Sequence, residues 1–203
     1  RIHTTDVKNL SFLKFLARSG KSLLLSTSGS YKEEIEKALR ILNENGAEEI
    51  VLMHGLQSYP TLVEDTNLLK IQLFKDSFGL PVGFADHIDG GHKLNLDLCF
   101  LALGMGASVL EKHMTLDRAL KMEDYESALD PHVFTEFVSK VRELEKALGS
   151  ESFGFSMAEE KYRLGTKKHV VAAHGIDSGA KIVAEDLTMK RTAETYSFHE
   201  MEE

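Results

Sequence analysis

Short apolar runs alternate with stretches of helical periodicity along most of the chain. In the intervening stretches apolar residues recur every three or four positions, as on the segment 31–45, a spacing typical of amphipathic helices. The runs themselves have the length and composition of buried strands, and they lie at 22–25, 50–53, 80–84 and 107–110. Strand and helix thus alternate about five times before Gly149. This order predicts an α/β fold with parallel strands and crossover helices.

Two of the predicted strands lead directly to a histidine. The run 80–84 leads to Asp86-His87, and the run 107–110 leads to Glu111-Lys112-His113. Ligands of parallel α/β folds bind at the carboxyl ends of the strands, and neutral imidazole is a common ligand of divalent metals. We therefore expect His87 and His113 to point into one site and share a cation. The alternative is two unrelated histidines that only pack or hydrogen-bond. We expect Asp86 to have one of two roles: it orients an imidazole through a hydrogen bond, or it caps the next helix.

Composition excludes several classes of protein. The chain has 203 residues, 42% of them apolar and 28% charged, and a net charge of -8 without a long basic run, which argues against a nucleic-acid footprint. No apolar stretch approaches the roughly 18 to 20 residues that cross a bilayer. The single Cys99 cannot form an internal disulfide, which fits a reducing cytoplasm. The chain begins at Arg1 without an initiator Met, so we expect it to be a fragment.

Several separated motifs resemble one family. The segments are VGFADHIDG and GASVLEKHMTLDRALKMEDYESALDP. They resemble the sialic acid synthase family, the phosphoenolpyruvate-dependent N-acetylneuraminate synthases, and the resemblance extends over nearly the whole chain. It implies a (β/α)8 TIM barrel followed by a small antifreeze-like (SAF) domain. Residues 1–150 would be the second half of the barrel, 151–166 a linker, and 167–203 the start of a truncated antifreeze-like domain. Half a barrel exposes two sheet edges, so we expect a missing N-terminal half or pairing with another copy.

The resemblance assigns phosphoenolpyruvate to residues near the first two strands. Arg1 and Thr4 stand where the family has the Lys and Ser of a Lys-Ile-x-Ser pattern, which implies that a strand ends at segment 1–6. Ser26 matches the Ser of the family's Ser-Thr-Gly pattern. The alternative interpretation of Arg1 is a frayed terminus without a role. Ser26 lies at a strand-to-helix turn, where a hydroxyl is also typical of a helix cap. Ser30, with Glu33 three residues later, is predicted to be the capping box of the next helix.

Four further residues match family positions that hold the sugar, and they are Gln57, Tyr59, Asp124 and Arg191. The alternative interpretation of Arg191 is a solvated surface charge. The chain also departs from the family pattern at two places. Ala85 replaces a Ser that contacts phosphoenolpyruvate, and a lost charge-assisted hydrogen bond costs about 1.5 to 3 kcal/mol. The segment 121–123 replaces Pro-Gly-Pro, so this loop should be less rigid and the identity of the sugar stays open.

The resemblance implies an enzyme that condenses phosphoenolpyruvate with an N-acetylated aminosugar, such as N-acetylmannosamine, and releases phosphate. His87, His113 and Asp124 would be the catalytic residues, with Mn²⁺ or Mg²⁺ on the two histidines. The resemblance also implies a cytoplasmic homodimer, in which Arg191 of the antifreeze-like domain reaches the partner's barrel. Its acid/base Glu and a second phosphoenolpyruvate-binding Lys lie upstream of this sequence, so the chain alone should be inactive. The alternatives are a non-catalytic scaffold that binds a sugar or a protein, and a metal-dependent aldolase of another family.

Overall fold

Five parallel strands form the main sheet, in the order in which they occur along the chain. The computed structural model describes residues 1–191, and the sheet belongs to a first unit that ends at Gly149. Sequential parallel order is the arrangement of strands in a (β/α)8 barrel. The strands are β1 (Leu23–Ser26), β2 (Ile50–His54), β3 (Val82–Asp86), β4 (Val109–Met114) and β5 (Ala128–Leu129).

Five α-helices precede, connect or follow these strands and cover one face of the sheet. Their apolar stripes pack on alternate strand residues such as Leu25, Leu52 and Phe84, which are at most 1% exposed. Because successive side chains of a strand point to opposite faces, the residues between them face away from the helices. The helices are α1 (Leu10–Ala17), α2 (Lys32–Glu44), α3 (Lys70–Phe78), α4 (Asp97–Gly104) and α5 (Pro131–Leu148).

The prediction of an α/β fold with a parallel sheet is confirmed, and its errors are local. Segment 1–6 contributes one isolated bridge, from Ile2 to Leu25, and no strand. Strand β5 was not predicted, because two residues are too short for a recognisable apolar run. The predicted capping box at Ser30 was wrong by one residue. Helix α2 begins after Tyr31, whose main-chain N–H donates to the Glu34 carboxylate at 3.0 Å.

The second unit begins at Ser150. It contains α6 (Met157–Thr166) and an antiparallel pair, β6 (His169–Ala172) with β7 (Leu187–Lys190). The segment interpreted as a linker thus includes a helix that was not predicted. Its start is a capping box of Ser156 and Glu159. A helix is compatible with a linking role, so the assignment of a linker and an antifreeze-like domain stays a prediction. Within the described residues, no helix combines the length and apolarity of a membrane span.

Candidate functional site

Two imidazole rings lie next to each other at the carboxyl ends of β3 and β4. The ring centroids of His87 and His113 are 5.1 Å apart, with 57° between the ring planes. The ladder between the strands ends at the pair Asp86 and Lys112, one residue before each histidine. The rings therefore emerge together from neighbouring strand ends. A metal ion bonded about 2 Å from a nitrogen of each ring would fit this separation, although the role of the two residues as metal ligands stays a prediction.

His87 has one nitrogen committed to the protein and one without a partner. Its Nδ1 lies 3.1 Å from the carbonyl oxygen of Ala85. Because a carbonyl only accepts, Nδ1 must carry the proton, and Nε2 then presents its lone pair. This Nε2 is buried and has no hydrogen-bond partner among residues 1–191. Such an atom is rare in folded proteins and calls for an explanation. An ion bonded to Nε2 would explain why this atom has no hydrogen-bond partner.

Electrostatics keep the same ring neutral at physiological pH. Burial, together with the neighbouring His113 and Arg1, lowers the pKa of His87 from its ordinary value to about 4. A neutral imidazole is the form that binds a metal. His87 is therefore in the protonation state that a divalent cation requires.

Tyr59 lies against both histidines. Its ring meets His87 edge to face, with centroids 5.4 Å apart, and meets His113 in the same way at 5.7 Å. Burial raises the pKa of Tyr59, and the negative charge of Asp124 raises it further. The phenol therefore stays protonated and can donate a hydrogen bond. Tyr59 is 42% exposed, so a ligand in the site can reach it.

Asp124 approaches the second histidine from the loop after β4. Its Oδ2 lies 3.6 Å from Nδ1 of His113. The loop is fixed by Arg118, which donates to the main-chain carbonyls of Tyr125 at 3.3 Å and Glu126 at 3.2 Å and to the Asp89 carboxylate at 2.8 Å. Asp124 thus projects toward His113 from a loop that the Arg118 side chain holds in place.

Arg1 and Ser26 meet on the same side of the sheet. Nε and Nη2 of Arg1 donate to Ser26 Oγ at 3.1 and 2.9 Å, and Nη1 pairs with the carboxylate of Glu111. Arg1 is therefore no frayed terminus. Glu111 was not among the predicted site residues, although strand alternation indicates that it faces the same way as His113. It lies two residues before His113 on β4 and so faces the same way.

Other predicted site residues are placed less directly. The hydroxyl of Thr4 donates to the main-chain carbonyl of Ser28. The main-chain N–H of Gln57 donates to Ser28 Oγ at 3.3 Å. Arg191 is exposed in the second unit, directly after β7. The structure brings Arg1, Ser26, Tyr59 and Asp124 toward the histidines. It shows no contact of the Gln57 side chain with them.

Asp86 does not orient either imidazole directly, and it does not cap the next helix, α4, whose N-cap is Leu96. Both predicted roles are therefore wrong. Its side chain points to the helix side of the sheet, where Oδ2 lies 2.6 Å from Lys112 Nζ. Its Oδ1 accepts the main-chain N–H of Ile88 at 3.1 Å. The main-chain carbonyl of His87 accepts from the hydroxyl of Ser127 at 2.6 Å. Ser127 is fully buried and was missed, because a serine in a loop carries no sequence signal of its own.

The site offers two nitrogen ligands to a metal. Within residues 1–191 there is no group of three or more His, Cys, Asp or Glu side chains placed to hold an ion. Two imidazoles would leave the remaining coordination positions to water and substrate, as in catalytic metal sites that keep open positions. The arrangement therefore suits a metal that exchanges ligands during a reaction, and it does not suit a closed structural site.

Acid should destabilise the first unit through His87. The pKa of His87 is lowered to about 4 in the folded chain, whereas an exposed imidazole titrates near 6.5. Between these pH values the unfolded chain binds one proton more, so the free energy of unfolding rises with pH and the contribution is complete above about pH 6.5. We expect a loss of about 3 kcal/mol on going from pH 6.5 to 4.

Urea unfolding at several pH values, with a chelator present, measures this dependence. His87→Asn should flatten it relative to the unchanged chain. His132→Asn, at an exposed position in the first turn of α5, should leave it as it is. An unchanged pH dependence in the His87 variant would contradict the assignment of a neutral buried ring.

Comparison with known proteins identifies relatives of the chain. A family model described as the NeuB family matches residues 1–153. The N,N'-diacetyllegionaminic acid synthase of Campylobacter jejuni is 34% identical over the entire chain, which covers 60% of that protein. The human N-acetylneuraminate-9-phosphate synthase is 28% identical over 94% of the chain, which covers 52% of it. The chain therefore spans between half and two thirds of the length of these curated relatives.

Solved structures give the same relationship. The N-acetylneuraminic acid (sialic acid) synthetase of Leptospira borgpetersenii, in complex with citrate, superposes with a TM-score of 0.70 at 31% identity, covering 79% of this chain and 55% of that one. The DAHP synthase of Thermotoga maritima superposes with a TM-score of 0.62 at 21% identity, covering 73% of this chain and 45% of that one. The second match concerns the fold alone, and it places the sheet among TIM-barrel-like proteins.

Proposed function

The chain belongs to the NeuB family, and from this we propose that it forms part of a nonulosonic acid synthase. The reaction would join phosphoenolpyruvate to an N-acetylated aminosugar, such as N-acetylmannosamine, and release phosphate. The relatives are synthases of nonulosonic acids, which supports a transferase of this class. The single observation that carries the proposal is the pair of adjacent imidazoles with the free, buried Nε2 of His87.

His87 and His113 would hold Mn²⁺ or Mg²⁺. The fit rests on the neutral state of His87, its fixed tautomer and its unpartnered Nε2. When bound, such an ion supplies Lewis-acid polarisation of a carbonyl oxygen, here the aldehyde of the sugar. The Ala85 carbonyl holds the His87 ring in the orientation that presents Nε2. The protein thus contributes a preorganised pair of ligands.

Arg1, Thr4 and Ser26 would bind the anionic groups of phosphoenolpyruvate. The guanidinium of Arg1 offers planar, charge-assisted donors that suit carboxylate and phosphate. In the structure these donors meet Ser26 and the Glu111 carboxylate. An incoming anion would therefore compete with Glu111 for Arg1. Before substrate arrives, the contacts with Ser26 and Glu111 keep the guanidinium oriented.

Gln57, Tyr59 and Asp124 would hold the sugar, with Arg191 as a further contact from the antifreeze-like domain of a partner subunit. Tyr59 supplies a protonated hydroxyl next to both histidines. Asp124 supplies a carboxylate that accepts hydrogen bonds from sugar hydroxyls. We further propose that the complete enzyme is a cytoplasmic homodimer with a closed barrel. The open five-stranded sheet described here would be inactive alone.

Phosphate release tests the function. We expect the full-length protein to release phosphate from phosphoenolpyruvate when Mn²⁺ and one accepted aminosugar are present. The panel should include N-acetylmannosamine, its derivative phosphorylated at the terminal carbon, and diacetamido sugars. These choices follow the product names of the relatives, an N-acetylneuraminate 9-phosphate and a diacetyllegionaminic acid. Absence of release with every sugar would contradict synthase activity.

Two observations favour a second candidate, a synthase-like scaffold that binds a sugar or protein without turnover. Ala85 has a methyl group where the family has a hydroxyl donor for phosphoenolpyruvate, and Arg1 is already paired with Glu111. Both weaken anion binding. Calorimetry separates the candidates, because a scaffold would bind an aminosugar without phosphoenolpyruvate and would release no phosphate.

A further inference from the structure

A buried ion pair lies directly behind the two histidines. Lys112 Nζ and Asp86 Oδ2 are 2.6 Å apart, and the two side chains are 0% and 1% exposed. Removing two charges from water is costly, and the attraction between them often fails to offset that cost. Apolar residues of similar volume frequently serve stability as well or better. Stability alone is therefore a weak explanation for this pair.

The position of the pair connects it to the site. Asp86 and Lys112 are the last register partners of the β3–β4 ladder. Each residue immediately precedes one of the two histidines in sequence. Because strand residues alternate between faces, the ion pair lies on the helix side while the imidazoles project from the opposite side. One peptide unit on each strand thus links the pair to the rings.

Further contacts fix Asp86 and the peptide units after it. Asp86 Oδ1 accepts the N–H of Ile88 at 3.1 Å, one residue beyond His87. Cys99 of α4 donates its thiol to Asp86 Oδ2 at 3.5 Å. The His87 carbonyl also accepts the N–H of Thr61 at 2.8 Å. The carboxylate therefore ties together β3, β4, α4 and the turn that follows His87.

We propose that the Asp86–Lys112 ion pair is a positioning device that holds His87 and His113 at the separation needed to share one divalent cation. The inference rests on the proposed function, since it presupposes that the two imidazoles bind a metal. A charge pair has a short optimal N–O distance, whereas apolar side chains of the same volume tolerate sliding. The pair would thus fix the spacing of β3 and β4 at their ends, and with it the distance between His87 and His113.

Mn²⁺ titration of the 203-residue chain, followed by the paramagnetic resonance signal of free Mn²⁺, tests the proposal. The double variant Asp86→Leu with Lys112→Met removes both charges and keeps an apolar filling, so it should still fold. We expect it to bind Mn²⁺ about tenfold more weakly, as when outer residues that orient metal ligands are changed. Urea unfolding without metal checks that the variant is folded.

Phe84→Leu is the matched control. Phe84 lies two residues before Asp86 on the same face of β3, and its register partner is Leu110. It should lower the midpoint of urea unfolding and leave Mn²⁺ affinity unchanged. A merely structural role of the ion pair would give the same pattern in the double variant, namely altered stability with unchanged affinity, and would overturn the inference.

Two further variants keep the outcomes distinct. Asp86→Glu retains the charges and lengthens the pair by one methylene. It should weaken binding about threefold, and unchanged affinity would overturn the inference even if the double variant does not fold. His87→Ala reports on the proposed function itself. If that variant binds as tightly as the unchanged chain, or the unchanged chain does not bind, the metal site is refuted. If only His87→Ala loses binding, the positioning role is refuted and the metal site stands.

Discussion

Replacing His87 with alanine should lower Mn²⁺ affinity by a factor of at least about 100 and the condensation rate of the full-length protein by roughly a thousandfold. The variant removes one of two protein ligands. It also removes the only atom in the centre that is buried without a hydrogen-bond partner among the described residues. His113→Ala should behave in the same way, because the second ring lies 5.1 Å from the first. Titration with Mn²⁺ and phosphate release measure the two effects.

The control for this prediction is an identical substitution away from the site. His132 is exposed at the start of α5, so His132→Ala should keep both metal affinity and rate. Urea unfolding of the metal-free chains should accompany the titrations, because loss of fold would mimic loss of a ligand. A folded His87→Ala variant with unchanged Mn²⁺ affinity would remove the basis for a two-histidine metal centre.

Replacing Gly55 with alanine should destabilise the first unit by about 4 kcal/mol. Gly55 follows β2 with φ of +149°, which side chains rarely adopt. A Cβ there would lie 2.0 Å from the carbonyl oxygen of Ala85. Relief requires movement of β2 against β3, because the obstacle is main chain. The same carbonyl accepts from Nδ1 of His87, so the variant should also disturb the orientation of that ring.

Gly104→Ala provides the matched control. Gly104 is the last residue of α4, and a Cβ there has no neighbour within 4 Å. Alanine should be neutral or stabilise by up to about 1 kcal/mol, because it reduces the freedom of the unfolded chain. Urea unfolding and thermal melts give both values. Equal stability of the Gly55 and Gly104 variants would contradict the close approach of β2 and β3.

Elements with a local apolar pattern could be predicted from the sequence, whereas contacts between distant segments could not. The runs at 22–25 and 50–53 predicted β1 and β2 to within about a residue, because a buried strand is recognisable from its run of apolar residues. The short β5 and the one-residue shift at the start of α2 carried no such signal. The contacts of Ser127 with His87 and of Glu111 with Arg1 carried no such signal either, since they join segments far apart in the chain. Strand alternation could have indicated only that Glu111 faces the same way as His113.

The sequence alone determined the order of parallel strands and crossover helices and the two histidines that follow neighbouring strands. These features follow from local periodicity, which every fold of this class must obey. Only the tertiary structure decided which nitrogen of His87 is free, that Arg1 pairs with Glu111, and that Asp86 turns away from the imidazoles toward Lys112. The physical reason is distance along the chain. Arg1 and Glu111 are 110 residues apart in sequence, and no local pattern encodes a contact that forms only when the sheet assembles.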